Sequence, residues 1–170
     1  EGGIRKDYYG SHTAPRVYLD SEFQVKNQTF QPVTQTALTN RYEVPAFAEI
    51  RGAFNIDENN VIHVIADVIS YVNLENVRTF ISVNEKTTTE NHVEYGGTGE
   101  TEWHHVMMKM LPDAEGNITT LKAGESKRFE FTYDMGTTFM EEANDLEVAV
   151  WIQNYDTKEI FNSHYLYEYT

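Results

Sequence analysis

Cysteine is absent from this 170-residue sequence. A chain without cysteine forms no disulfide, binds no metal through thiolates and performs no thiol chemistry. Long hydrophobic runs are also absent, since the apolar stretch within 61–72 is far shorter than the ~20 residues of a membrane-spanning helix. We therefore expect no redox activity from this chain and no membrane insertion by this segment.

Basic residues are scarce. The chain carries 13 lysines and arginines against 27 aspartates and glutamates, which gives a formal net charge of -14. Proteins bind nucleic acid largely by neutralising phosphates with lysine and arginine, and anionic membranes attract basic surfaces. The composition therefore predicts no nucleic-acid partner.

What the sequence does contain is a series of strand patterns. Apolar residues alternate with polar ones in 47–56, 128–133 and 146–153, the period expected of half-buried strands. The segment 61–72 is apolar on nearly both faces, and the Asp- and Asn-rich turn 57–60 precedes it. Short strands separated by turn signals predict a mainly β fold, an antiparallel immunoglobulin-like sandwich of about seven strands.

The first 44 residues follow a different pattern. Segments 16–20 and 22–25 suit a short hairpin, and they precede an amphipathic helical stripe. We predict a small ββα segment over 1–44 and a β-sandwich domain over 45–170. The stripe consists of Phe30, Val33, Ala37 and Leu38.

Three stretches of the predicted sandwich resemble one known family. They are TEWHHVMMKMLPDAEGN (101–117), LEVAVWIQNYDTKEIFNS (146–163) and LENVRTFISVNEKTTTEN (74–91). They are similar to the C-terminal β domain of Bacteroidetes lipoproteins and secreted proteins related to the outer membrane protein of twenty-eight kilodaltons. The resemblance implies a cell-envelope location, at the outer membrane surface or secreted, and implies no enzymatic activity.

Members of that family often carry a thioredoxin-like domain before the β domain. GSHTAPRVYLD (10–20) resembles the end of such a domain, and the resemblance implies that Pro15 is its cis-proline. It also implies that the chain is a piece of a longer protein. Because the chain has no Cys-x-x-Cys, any redox centre would lie outside it.

Aromatic residues at the C-terminus are candidate binding residues. In one strand Tyr165, Tyr167 and Tyr169 would share a face with Phe161, and Trp103 is a further candidate for stacking. Exposed aromatic rings at these positions would suit a glycan, so a carbohydrate-binding module is one alternative. A protein partner that pairs with an edge strand is another.

Two groups of residues are candidate metal ligands. His104 and His105 are adjacent, but strand geometry would point them to opposite faces, so one ion would require a further ligand. Asp57, Glu58 and Asn60 offer oxygen ligands for calcium, although their spacing is also that of an ordinary turn. We expect no cofactor, with calcium as the alternative.

Motifs of known catalytic sites are missing from the sequence. Gly-x-Ser-x-Gly, a P-loop and a dinucleotide fingerprint do not occur, and adjacent acids such as Glu141 and Glu142 do not span a cleft as glycosidases require. We predict a non-catalytic structural or protein-interaction domain of a bacterial envelope or secreted protein. Its expected partner is another protein or an upstream domain of the same polypeptide.

Overall fold

The computed structural model of the chain describes residues 1–10, 17–20, 33–90, 99 and 101–169, and the backbone of short strands between 22 and 30. The elements of the first 44 residues are α1 (Gly2–Tyr8), β1 (Tyr18–Leu19), β2 (Glu22–Phe23), β3 (Val25–Lys26), β4 (Thr29–Phe30) and α2 (Gln35–Tyr42). They are followed by β5 (Ala48–Ile56), β6 (Val61–Ser70), β7 (Leu74–Thr88), β8 (Trp103–Leu111), β9 (Asn117–Leu121), β10 (Ser126–Asp134), β11 (Leu146–Asn154), β12 (Ile160–Tyr165) and β13 (Tyr167–Glu168).

Strands β5 to β13 form two sheets packed face to face. The front sheet has the order β10-β6-β5-β13, and the back sheet has the order β12-β11-β7-β8, with β9 also paired to β7. Every pairing is antiparallel except that of β13 with β5. The predicted mainly β antiparallel sandwich is confirmed. The immunoglobulin-like character of its topology stays a prediction.

The core lies between the two sheets and follows the period of two. Along β6 every second side chain is buried, and the same holds for most of β11. Burying one such aliphatic side chain contributes roughly 1.5–3 kcal/mol, so these two strands supply much of the driving force for folding. The inward residues are Ile62, Val64, Ala66 and Val68 from β6, and Leu146, Val148, Val150 and Ile152 from β11.

Strand β7 is buried on both of its faces. Val77, Ile81 and Val83 pack in the core, whereas Phe80 faces outward into a second, smaller cluster with Met110. The sequence predicts this strand over 77–83, and the observed strand is longer at both ends. Its extension includes Glu85, a carboxylate inside the protein.

The C-terminal apolar run is divided between the two sheets. β12 pairs with β11, and then Leu166 is buried in the core, with its N–H donating to the Val148 carbonyl at 2.8 Å. β13 continues on the other sheet beside β5. The prediction of one uninterrupted final strand is therefore wrong, because a buried leucine carries the chain from one sheet to the other.

The N-terminal part contains the predicted strands and helix, with different boundaries. β1 pairs with β2 and β3 with β4, and α2 begins at Gln35, where the Thr34 side chain accepts a hydrogen bond from the Ala37 N–H. The predicted helical stripe starts too early, because Phe30 belongs to β4. Pro15 lies outside the described residues, so the cis-proline prediction is untested. The division at residue 44 also stays a prediction.

Helix α1 is absent from our sequence predictions. Its segment begins with two glycines and is only 7 residues long. Isolated helices of this length are unstable in water, so the contacts of α1 with the sandwich must stabilise it.

Candidate functional site

The two outer faces of the sandwich differ in what covers them. On the back sheet, Phe80, Trp151 and Met110 point outward and are covered by the N-terminal residues that include α1. On the front sheet, the outward side chains of β5, β6 and β10 are exposed or half-buried. These two faces are the candidate sites for interaction.

Arg5 of α1 packs on aromatic rings of the back sheet. The Arg5 guanidinium carbon lies 4.3 Å from the centre of the Phe80 ring and 5.8 Å from that of Trp151. It is also 4.6 Å from the Tyr8 ring and 5.0 Å from the Tyr9 ring. We call these five residues the Arg5 cluster. Cation–π contacts contribute about 0.5–1 kcal/mol when exposed and about 2 kcal/mol when desolvated.

Within this cluster the aromatic rings also contact one another. Phe80 and Trp151 are stacked, with ring centroids 5.2 Å apart and an interplanar angle of 18°. Tyr8 and Tyr9 meet edge to face at 4.9 Å. The sandwich therefore presents two stacked aromatic rings, and the N-terminal segment adds a cation and two further rings to them.

Hydrogen bonds surround the Tyr9 hydroxyl. It accepts from Arg5 Nη2 and from Gln153 Nε2, both at 3.0 Å. Gln153 is fully buried, and its Nε2 also donates to the Lys158 carbonyl at 2.6 Å. The Tyr18 hydroxyl donates to the Tyr9 carbonyl at 3.1 Å, which connects β1 to the same cluster. These bonds specify one position for the N-terminal segment.

A second group of cations extends the Arg5 cluster. The Arg78 guanidinium carbon lies 3.7 Å from the Tyr155 ring centre, and Lys158 Nζ lies 3.5 Å from the Tyr8 ring centre. The Tyr8 ring is also 5.2 Å from that of Tyr155, so Tyr8 contacts Arg5, Lys158 and Tyr155 together. Three cations and several aromatic rings therefore meet at the contact between α1 and the back sheet.

Burial changes the acid–base properties of this contact. Desolvation lowers the pKa of Arg5 and of Lys158, while it raises the pKa of the Tyr8 hydroxyl, to which Tyr9 also contributes. Arginine stays charged at any physiological pH. The cation–π contacts of Arg5 therefore persist across the physiological range.

The three C-terminal tyrosines are exposed, but they do not form one stripe. Tyr165 belongs to β12 and lies opposite Ala149 on the back sheet, whereas Tyr167 lies beside Ala53 on the front sheet. Phe161 packs against the core, so the prediction that it shares a face with these tyrosines is wrong. The exposed fractions are 55% for Tyr165, 73% for Tyr167 and 45% for Tyr169. Tyr165 is thus separated from Tyr167 by a change of sheet, and a binding role for these tyrosines stays a prediction.

Tyr165 lies near an exposed pair of polar side chains. His105 Nδ1 is 2.7 Å from a carboxylate oxygen of Glu147. Burial and the charge of Glu147 raise the pKa of the Tyr165 hydroxyl. The backbone of His105 has a positive φ of 55°, which is uncommon for a non-glycine residue. This group contains one histidine and one carboxylate, which is too few ligands to hold a metal ion.

The remaining predicted site residues have partners close in sequence or on the adjacent strand. His104 Nε2 is 3.0 Å from Glu102, and Trp103 pairs with Thr88 at the start of β8. Among the described residues, no group of three or more histidines, aspartates and glutamates is arranged to hold a metal ion. The histidine-metal hypothesis stays a prediction.

The Asp57 turn is organised by its own backbone. The Asp57 carboxylate accepts from the N–H groups of Val61 and Asn59, and these bonds lower its pKa. Glu58 and Asn60 are exposed in the same turn, and Asn60 adopts a positive φ of 60°. This is the geometry of an ordinary hairpin turn, and calcium binding stays a prediction.

Sequence reasoning missed the Arg5 cluster. A signal for it exists, because Phe80 and Trp151 lie at positions of β7 and β11 that point away from the core. Large aromatic residues at outward positions indicate that something covers them. The cationic and aromatic residues of the N-terminal segment, Arg5, Tyr8 and Tyr9, are suited to that contact.

Together these features define a class of protein: an antiparallel β-sandwich with one face covered by a docked N-terminal segment. No family model matches the sequence, and no curated protein is similar to it at the sequence level. Solved structures do share the fold. HBP35 of Porphyromonas gingivalis matches with a TM-score of 0.74 and 13% identity, covering 96% of this chain and 55% of that one. The chain therefore spans about half the length of HBP35.

Two further solved structures match less well. A domain of the outer membrane lipoprotein Omp28 from Porphyromonas gingivalis has a TM-score of 0.43 and 12% identity, covering 75% of this chain and 95% of that domain. A GH3 β-glucosidase from Bifidobacterium adolescentis has a TM-score of 0.34 and 20% identity, covering 70% of this chain and 17% of the enzyme. Similarity this low supports no functional inference. In the part of the chain that the structure describes, every helix is too short or too polar to cross a bilayer.

Proposed function

We propose that this chain is a non-catalytic structural and protein-interaction domain of a bacterial cell-envelope or secreted protein. The observation that carries the proposal is the Arg5 cluster. Phe80 and Trp151 lie on the outer face of the back sheet. Their rings contact Arg5 and so hold the N-terminal segment in one place. A domain built in this way serves to orient what precedes it.

The fold similarity supports this proposal. The match with HBP35 extends over 96% of this chain, so it includes the N-terminal segment as well as the sandwich. Since HBP35 is nearly twice as long as the matched part, we infer that this chain also has an adjacent domain as its partner. A thioredoxin-like identity of the first 44 residues belongs to the same proposal, and any redox centre would then lie outside the cysteine-free chain.

The arrangement of acid–base groups is also in keeping with a non-catalytic role. His104 pairs with Glu102, and His105 pairs with Glu147, each histidine on an exposed site. General acid–base catalysis requires such groups to converge on a substrate position in a cleft. Pairs that are exposed on a sheet surface do not provide that arrangement.

The docking of α1 is tested by comparing Arg5→Ala with Lys6→Ala. Both variants remove one cation from α1, but Lys6 is exposed and makes none of the Arg5 contacts. We expect Arg5→Ala to destabilise the contact by about 1–2 kcal/mol through lost cation–π and hydrogen-bond energy. Amide exchange of residues 4–10 would accelerate, and Trp151 fluorescence would shift to the red. Lys6→Ala would leave both unchanged.

Equal behaviour of the two variants would contradict the docking role of Arg5. The cellular location needs a separate measurement, namely fractionation of the source bacterium with an antibody raised against this chain. We expect the antigen in the outer membrane or culture fluid. Recovery from the cytosol alone would refute the envelope assignment.

A further inference from the structure

Whereas the N-terminal segment covers the back sheet, no helix or strand of the described residues covers the outer face of the front sheet. Its outward side chains come from four adjacent strands, which span about 14 Å at the usual strand spacing. It combines exposed tyrosines with small and polar neighbours. We define the front face by six side chains in two neighbouring rows: Tyr167, Ala53, Ile65, Asn55, His63 and Tyr169.

The two tyrosines of the front face stand side by side at its edge. Tyr167 lies opposite Ala53, and the Tyr169 N–H donates to the Phe54 carbonyl at 2.9 Å, which continues the pairing of β13 along β5. The small side chain of Ala53 leaves the Tyr167 ring uncovered on that side. His164 contacts the Tyr167 ring edge to face at 6.0 Å. This contact connects the Tyr167 ring to β12.

Polar groups continue from the tyrosines across the sheet. Asn55 pairs with His63, and His63 with Thr132 of β10, whose hydroxyl is 3.4 Å from His63 Nδ1. Neither Tyr167 nor Tyr169 bonds its hydroxyl to another residue of the described chain. The other ring nitrogen of His63, Nε2, lies 3.7 Å from the Asp57 carboxylate, so the imidazole is held between two partners. The row thus offers the Asn55 amide and the hydroxyl groups of Thr132 and the two tyrosines.

On this side of the sheet the carboxylates of Glu49, Asp67 and Glu130 outnumber the two arginines with which they pair. Arg51 pairs with Glu49 at 2.5 Å, and Arg128 binds Asp67 through two hydrogen bonds of 2.8 Å. A polyanion would find no unpaired cation here and would be repelled by the net charge of -14. Glu130 of β10 lies opposite Ile65, and its exposed carboxylate is 3.9 Å from Arg128 Nη1, so a ligand on this face also meets one acid. The face therefore disfavours a polyanion and suits a ligand rich in hydroxyl groups, because a carboxylate accepts hydrogen bonds from hydroxyls.

We propose that the front face binds a neutral oligosaccharide, with Tyr167 and Tyr169 stacked on the C–H faces of two sugar rings. A sugar presents an apolar ring face together with many hydroxyl groups. Aromatic rings match the first, and the Asn55 amide, the Thr132 hydroxyl and the Glu130 carboxylate match the second. This site is on the opposite sheet from the Arg5 cluster, so the two proposals stand independently.

The test is calorimetric titration of the whole chain with neutral hexasaccharides. The probes are the hexamers of β-1,4-glucose, β-1,3-glucose, β-1,4-xylose, β-1,4-mannose and N-acetylglucosamine. We expect at least one to bind with a Kd of about 1 mM or tighter. Tyr167→Ala and Tyr169→Ala would each weaken that binding about tenfold, whereas Tyr167→Phe would change it by less than about threefold.

The matched control is Tyr165→Ala. Tyr165 is also an exposed C-terminal tyrosine, but it lies on the back sheet, so its removal leaves the affinity unchanged. Circular dichroism of each variant establishes that it is folded. Absence of binding by all five probes at about 10 mM overturns the proposal. Equal loss in Tyr165→Ala and Tyr167→Ala, or binding of heparin or a folded protein instead, overturns it as well.

Discussion

Replacement of Glu85 tests how the sandwich accommodates a carboxylate in its interior. Glu85 is fully buried on β7, at 0% exposure. Its two oxygens accept from the Glu141 N–H at 3.1 and 3.0 Å, and Oε1 accepts from the Glu142 N–H at 2.5 Å. The Glu141 carboxylate in turn accepts from the N–H groups of Thr89 and Glu90, each at 2.8 Å. Two acidic side chains therefore hold β7 and the loop before β11 together.

The magnitude follows from the two N–H groups that lose their acceptor. An unsatisfied buried donor costs about 1–3 kcal/mol, and the loss of the charge-assisted bonds is only partly offset by removing a buried charge. We expect Glu85→Ala to lower the free energy of unfolding by about 3 kcal/mol. Glu85→Gln keeps an oxygen at the Oε1 position, where both N–H groups can donate, so we expect a loss of about 1 kcal/mol.

Urea unfolding followed by circular dichroism measures both values. Glu75→Ala is the matched control, since Glu75 lies on the same strand and is exposed. Its effect should stay within about 0.5 kcal/mol. Hydrogen exchange then tests the mechanism, because the amides of Glu141 and Glu142 should lose protection in Glu85→Ala before the rest of β11 does.

A loss below about 1 kcal/mol in Glu85→Ala would refute this reasoning. It would mean that water enters and satisfies the two N–H groups, or that the loop moves to other acceptors. Unchanged protection of the Glu141 and Glu142 amides would refute it independently of the size of the loss.

Two further predictions concern the front sheet. A Cβ added at Gly52 would lie 2.2 Å from the Ile65 carbonyl oxygen, so Gly52→Ala should destabilise by about 2–3 kcal/mol in urea unfolding, and more than Gly3→Ala, where a Cβ meets nothing within 4 Å. Arg128 lowers the pKa of Asp67, so this pair stabilises the fold above pH about 4 and loses its contribution as the pH falls through the folded-state pKa. The stability difference between the wild type and Arg128→Ala should therefore shrink from pH 7 to pH 3, and a difference independent of pH would contradict the assignment.

The comparison of sequence and structure is most instructive at strands β6 and β11. Their alternation of apolar and polar residues predicted both strands and their inward faces, because side-chain direction in a strand is a local property. Strand β7 was predicted too short, since the buried Glu85 breaks the apolar pattern. Its carboxylate is compatible with the core only because distant backbone N–H groups bind it.

The candidate sites show the same limit. Exposed tyrosines at the C-terminus could be proposed from the sequence, but their distribution over two sheets could not. In the sequence, Leu166 is one more apolar residue of a predicted strand. Only the structure shows that the chain passes from the back sheet to the front sheet at this residue. The Arg5 cluster joins residues more than 140 positions apart, as in the contact between Arg5 and Trp151, and no local pattern encodes such a pairing.

By itself, the sequence determined the class of this protein: a cysteine-free, acidic β-sandwich with alternating strands and an aromatic C-terminus. These properties follow from composition and from a period of two, which depend on neighbouring residues alone. The tertiary structure decided which outer face is covered, which tyrosines lie together and how a buried carboxylate is satisfied. The physical reason is that strand order and docking depend on long-range contacts, and many arrangements share the same alternation along the chain.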